Sequence, residues 1–109
     1  MKFYPVAKIT DLPPGSCKSL ELLDEGIALF NLNGTVYALD NTCPHAGGPL
    51  GGGSIEGDFV ECPWHGWKFN IKTGACKKNP GPTWNVRCFP VQVIDGVIHV
   101  APPEPEVGY

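Results

Sequence analysis

Apolar residues recur along this chain in short blocks, and the turn signals between those blocks set its architecture. Ile27-Ala28-Leu29-Phe30-Asn31-Leu32 is followed by Asn33-Gly34 and then by Thr35-Val36-Tyr37-Ala38-Leu39. Strand-favouring residues on both sides of an Asn-Gly pair predict a hairpin, because that dipeptide accepts the positive φ of a type I′ turn. Val91-Gln92-Val93-Ile94, Asp95-Gly96 and Val97-Ile98-His99-Val100 repeat the pattern. Weaker strands are expected over 4–9, 19–23, 59–62, 67–71 and 87–89, with a loop at Leu12-Pro13-Pro14-Gly15. No window of about a dozen residues carries a 3.6-residue period. The chain is therefore expected to be all-β and antiparallel, without an internal repeat.

Composition supports that expectation. The 109 residues suffice for one domain, since two would need roughly 200 or more. Fourteen glycines and twelve prolines are about twice average usage, and both residues break helix interiors. With 42% hydrophobic and 10% aromatic residues the chain has enough apolar material for a core, which argues against low-complexity disorder. Most of the glycines lie between 41 and 82. The expected plan is a base of about 1–40 and 83–101, a subdomain of about 41–82, and a solvated, proline-rich tail of about 102–109.

Charge narrows the partners. The net charge of −3 comes with no basic stripe, so nucleic acid is not expected to bind. No apolar run approaches the ~18 residues of a membrane span. The start, Met1-Lys2-Phe3-Tyr4-Pro5, lacks a secretory apolar core and a twin arginine, so a cytoplasmic location is expected. In that reducing compartment the five cysteines are better read as ligands or buried thiols than as disulfides.

Two motifs carry the chemistry: Cys43-Pro44-His45 and Cys62-Pro63-Trp64-His65. Each places a thiolate beside an imidazole, and in each a proline holds the cysteine extended. Three chemistries use such pairs. A structural zinc site accepts two Cys and two His, although zinc fingers usually keep both cysteines on one knuckle and both histidines on a helix. A cysteine nucleophile with a histidine base would leave one pair unexplained. A [2Fe–2S] cluster in which two histidines replace two cysteines would use both pairs, each loop giving its cysteine to one iron and its histidine to the other. The surrounding glycines would then let backbone N–H groups approach sulfide.

At this point the sequence resembles the Rieske family, whose signature is C-x-H followed after some 15 to 20 residues by C-x-x-H. Cys43, His45, Cys62 and His65 match it one for one. Gly66, Trp67-Lys68-Phe69, Thr73-Gly74 and the cluster-covering loop at Pro80-Gly81-Pro82 extend the likeness over about residues 3–101. The resemblance implies a β-sandwich with a small two-loop cluster-binding subdomain, one [2Fe–2S] cluster and those four ligands. It also implies that the histidines lie at the exposed tip, as the port for electrons.

The departures from the family pattern are informative. Respiratory members clamp the two loops with a disulfide, but here Gly48 and Trp64 stand at those positions. High-potential members place serine and tyrosine hydroxyls near cluster sulfur, where this chain has Trp67 and Phe69. Hydrogen bonds to sulfur stabilise the more negative reduced cluster, so their loss lowers the potential.

With three histidines in all, the chain cannot also build the mononuclear iron site of Rieske oxygenases. It has no dinucleotide fingerprint either, and the glycine run 51–53 lacks the Lys-Ser/Thr of a P-loop. It is therefore expected to catalyse nothing alone. The expected role is a soluble electron carrier between a flavin-containing reductase and a terminal, ring-hydroxylating oxygenase. Two alternatives stand beside it. One is the small subunit of an assimilatory nitrite reductase, many of which have lost ligands that all persist here. The other is a zinc-stabilised interaction module.

Cys17, Cys76 and Cys88 are left over and are expected to be inert buried or half-buried thiols; a Cys76–Cys88 disulfide is the other option. His99 is expected to be structural. Lys68, Lys72, Lys77 and Lys78 form either a solvated face or a weak docking patch for an acidic partner.

Overall fold

A computed structural model describes residues 2–42, 48–64, 66–77 and 84–102. Among these the chain forms β1 (Tyr4–Lys8), β2 (Cys17–Leu22), β3 (Glu25–Leu32), β4 (Thr35–Asp40) and β5 (Ser54–Glu56). β6 (Phe59–Glu61), β7 (Lys68–Asn70), β8 (Cys88–Phe89), β9 (Val91–Ile94) and β10 (Val97–Val100) follow. They assemble into three sheets with the strand orders β1-β10-β9, β2-β3-β4-β8 and β5-β6-β7. Every pairing is antiparallel.

Both expected hairpins form. Asn33 and Gly34 take φ of 54° and 98°, and Leu32 pairs with Thr35 across that turn. Asp95-Gly96 turns the chain between Ile94 and Val97 in the same way. A third tight hairpin was not anticipated: Leu22 pairs with Glu25, which forces Leu23 and Asp24 to φ of 50° and 66°. Leu-Asp is a poor signal for that turn, because a leucine at positive φ is strained. The β2–β3 ladder imposes it. β5 also went unread, since three residues with one apolar side chain, Ile55, carry no usable period. The described residues include no long helix; the two 3-10 turns that lie wholly within them are Ile9–Asp11 and Leu50–Gly52. None is long and apolar enough to cross a membrane.

β3 explains how the layers stack. Successive strand side chains point to opposite faces, and β3 is buried on both. Ile27 and Leu29 pack with Leu12, Val36, Ala38, Phe89, Ile98 and Val100, joining the four-stranded sheet to β1-β10-β9. Ala28 and Phe30 pack on the other side with Leu39, Leu50, Val60, Phe69 and Ile71, joining it to β5-β6-β7. Burial of each large side chain contributes roughly 1.5–3 kcal/mol, so one apolar strand holds the layers on both its sides. Asn31, 2% exposed, interrupts the apolar run. Its side chain donates to the Leu12 carbonyl at 2.7 Å and accepts from the Gly34 N–H at 2.8 Å, anchoring the proline loop and the turn.

Candidate metal centre

The second Cys/His motif begins where β6 ends. Cys62 is 1% exposed and belongs to the same core cluster as Phe30, Val60 and Phe69. Its N–H donates to the Trp67 carbonyl at 2.7 Å, closing the 62–67 loop at its base. Trp64, in turn, points its backbone N–H at the Cys62 sulfur, 3.4 Å away. Gly66 completes the turn at φ 72°, a conformation that favours glycine.

The first motif begins just beyond β4, and its two stems are tied to one residue. The Leu50 N–H donates to the Asn41 carbonyl at 2.8 Å, and the Gly51 N–H donates to Asn41 Oδ1 at 2.8 Å. Ser19 Oγ, on β2, reaches the same Oδ1 at 3.2 Å. Thr42 and Pro49 bridge across the stems. The stems thus stand against the four-stranded sheet, and the returning stem carries Gly48 to the second loop. A Cβ on Gly48 would stand 2.9 Å from Cys62 Sγ and 2.9 Å from Trp64 Cγ.

Of the four candidate ligands, Cys62 is described; Cys43, His45 and His65 lie outside the described residues, as do Lys78 and Pro80-Gly81-Pro82. The segment after that loop is held to the chain before it. Cys76 N–H donates to Asn85 Oδ1 at 3.1 Å, Val86 N–H to the Gly74 carbonyl at 2.9 Å, and Trp84 meets Trp67 edge-on at 5.4 Å. Arg87 then grips Asp40 and Glu25, each at 2.8 Å, at the edge of the sheet from which the first loop leaves. These carboxylates push its guanidinium still further up, Asp40 first.

The remaining sequence candidates resolve as follows. Lys68 pairs with Glu56 at 3.0 Å, Lys72 with Asp58 at 3.8 Å, and Lys77 sits 4.8 Å over the Phe59 ring. Two of these lysines, Lys68 and Lys72, thus meet carboxylates of the same sheet region, while Lys77 lies over an aromatic ring. His99 Nδ1 lies 3.0 Å from the Val97 carbonyl, a structural contact. Cys76 is buried in the core and Cys17 is half-buried, its thiol donating to the Gly53 carbonyl at 3.3 Å. Cys88 corrects the expectation of a buried or half-buried thiol: it lies exposed on an edge strand and, like Cys76, is free. Sequence reasoning missed Asn41 and the crowding at Gly48. An asparagine two residues before a ligand motif, and a glycine three residues after one, were the available signals.

The Rieske [2Fe–2S] domain profile matches residues 2–90. The chain belongs to the Rieske family. The ferredoxin CarAc of Metapseudomonas resinovorans is 32% identical over 97 residues, covering 88% of this chain and 90% of that protein. The ferredoxin of carbazole 1,9a-dioxygenase from Nocardioides aromaticivorans IC177 superposes with a TM-score of 0.84 at 29% identity, over 94% of this chain and all of that one. A putative NADH-dependent nitrite reductase small subunit from Mycobacterium tuberculosis superposes with a TM-score of 0.85 at 26% identity, over 95% of this chain and 97% of that one. A cholesterol 7-desaturase from Xenopus laevis is 45% identical over 71 residues, 63% of this chain, and there the chain spans only 16% of the relative's length.

Family membership makes one [2Fe–2S] cluster the cofactor of this Rieske protein, and the described residues fit it. A cysteine sulfur is withdrawn from water, receives a backbone N–H, and lies against a glycine whose backbone comes so close that a Cβ there would stand 2.9 Å from the sulfur. Those are the surroundings of a sulfur that carries charge onto a metal rather than onto solvent. When bound, the cluster takes up and releases one electron at a time.

Proposed function

We propose that this chain is a Rieske-type ferredoxin whose cluster is held by Cys43, His45, Cys62 and His65. The observation that carries the ligand reading is the buried Cys62 sulfur, bonded by the Trp64 N–H and approached by the backbone at Gly48. The 41–82 segment is the cluster-binding subdomain, and 1–40 with 83–101 is the base. The carrier takes an electron from a flavin-containing reductase and passes it to a terminal, ring-hydroxylating oxygenase in the cytoplasm. Its similarity to ferredoxins along nearly their whole length supports this role. The fit to a nitrite reductase small subunit favours a second reading, in which the chain remains bound in a larger enzyme.

Spectroscopy tests the ligand set. Purified protein is expected to be red-brown and to bleach with dithionite. Cys43→Ser, His45→Ala, Cys62→Ser and His65→Ala should each abolish the normal visible spectrum, and Cys76→Ser should leave it in place. A native spectrum in any of the four overturns the assignment, and colourless protein with stoichiometric zinc overturns the cluster. Co-purification from the native host separates the two roles. A free small protein that accepts electrons from a flavin reductase supports the ferredoxin, and a stable large complex supports the subunit.

A further inference from the structure

Gly48, Cys62 and Trp64 converge on one point. The position a Cβ would take on Gly48 lies 2.9 Å from the Cys62 sulfur, 2.9 Å from Trp64 Cγ and 3.1 Å from Trp64 Cβ. Cys62 is 1% exposed, whereas Trp64 is 50% exposed. A large indole that leaves half its surface in water gains little from ordinary core burial. What it does gain is a seat directly over a glycine and beside a ligand sulfur.

We infer that Trp64 is the water shield of the Cys62 sulfur, and that Gly48 is small so that the indole can close over it. The inference rests on the proposed role of Cys62 as a ligand. The reduced cluster carries one more negative charge than the oxidised one, and water near a cluster sulfur stabilises that charge. Keeping water out therefore holds the potential down. It also slows attack by water and oxygen on the cluster. The hydrogen bond to sulfur comes from the Trp64 backbone N–H, so truncating the side chain removes the shield and leaves that bond in place. Gly48 is not in the left-handed region of φ, so a methyl group added there acts by crowding rather than by backbone strain.

The test uses full-length, cluster-loaded protein purified without oxygen. Trp64→Ala should raise the midpoint potential enough to shift the reduced-to-oxidised ratio at least threefold at a fixed potential. That is roughly 30 mV for one electron at ~59 mV per tenfold. Its visible absorbance should also decay at least threefold faster in air. Trp64→Phe should restore both properties to within twofold. Gly48→Ala, which leaves the tryptophan present but displaced, should move both in the same direction as Trp64→Ala, and it carries the test if Trp64→Ala assembles no cluster. Unchanged potential and decay in Trp64→Ala, or in Gly48→Ala, overturn the inference. A native spectrum in Cys62→Ser overturns the ligand reading beneath it instead.

Discussion

Asn41 offers the sharpest test of how the first loop is held. Its side-chain oxygen receives the Gly51 N–H at 2.8 Å and the Ser19 hydroxyl at 3.2 Å. Asn41→Ala removes the one acceptor of both hydrogen bonds. Gly51 is buried, with the backbone of Lys18 and Ser19 packed so closely that even a methyl group would not fit, so its N–H cannot shift to another protein acceptor. Stranding that N–H costs about 1–3 kcal/mol, and the exposed serine hydroxyl, which can turn to water, adds about 0.5 kcal/mol. A loss of about 2–3 kcal/mol lowers Tm by roughly 10 °C for a domain of this size.

Asn41→Asp discriminates. Both partners are donors, so a carboxylate satisfies each of them and should keep most of the stability at pH 7. Two donated hydrogen bonds place the folded pKa of that carboxylate below the unfolded value of about 3.9. Its contribution is therefore present above that pH and disappears as pH falls through the folded value. Urea and thermal unfolding followed by circular dichroism, with every variant at the same cluster loading, read these outcomes. An Asn41→Ala variant within about 0.5 kcal/mol of wild type, or an Asp variant as damaging as Ala at neutral pH, would refute the reasoning.

Three further expectations are open to direct measurement. Leu23→Asn with Asp24→Gly should raise stability by about 1 kcal/mol, because both native residues sit at positive φ and Leu23 is exposed, so relieving the strain sacrifices no packing; an unchanged urea midpoint would contradict this. Partial desolvation of the sulfur pushes the Cys17 thiol up from its ordinary value of 9.0, and does the same at Cys88, whose thiol is partly covered although the residue as a whole is exposed. Iodoacetamide at neutral pH should thus label both more slowly than free cysteine, exposed Cys88 before half-buried Cys17, with rates climbing as pH passes 9. Mass spectrometry of the labelled peptides reports the order. Trp67 and Phe69, without hydroxyls to offer sulfur, predict a midpoint near the low end of the Rieske range of about −150 to +300 mV, and a redox titration above roughly +100 mV would contradict it.

The sequence alone determined whatever depends on neighbours along the chain. Asn33-Gly34 and Asp95-Gly96 specify their turns through the φ they tolerate, and the apolar blocks beside them specify strands. The C-x-H and C-x-x-H motifs specify a metal chemistry, because ligand type and spacing are local properties. Only the tertiary structure decided the rest. It put Leu23 at positive φ, because the β2–β3 pairing outweighs a local preference. It also buried both faces of β3, which is why Ile27 to Phe30 reads as one unbroken apolar run rather than an alternation. The small glycine at 48 marks the point where two segments far apart in sequence close on one sulfur, and steric contact across that distance leaves no period, propensity or spacing for the sequence to display.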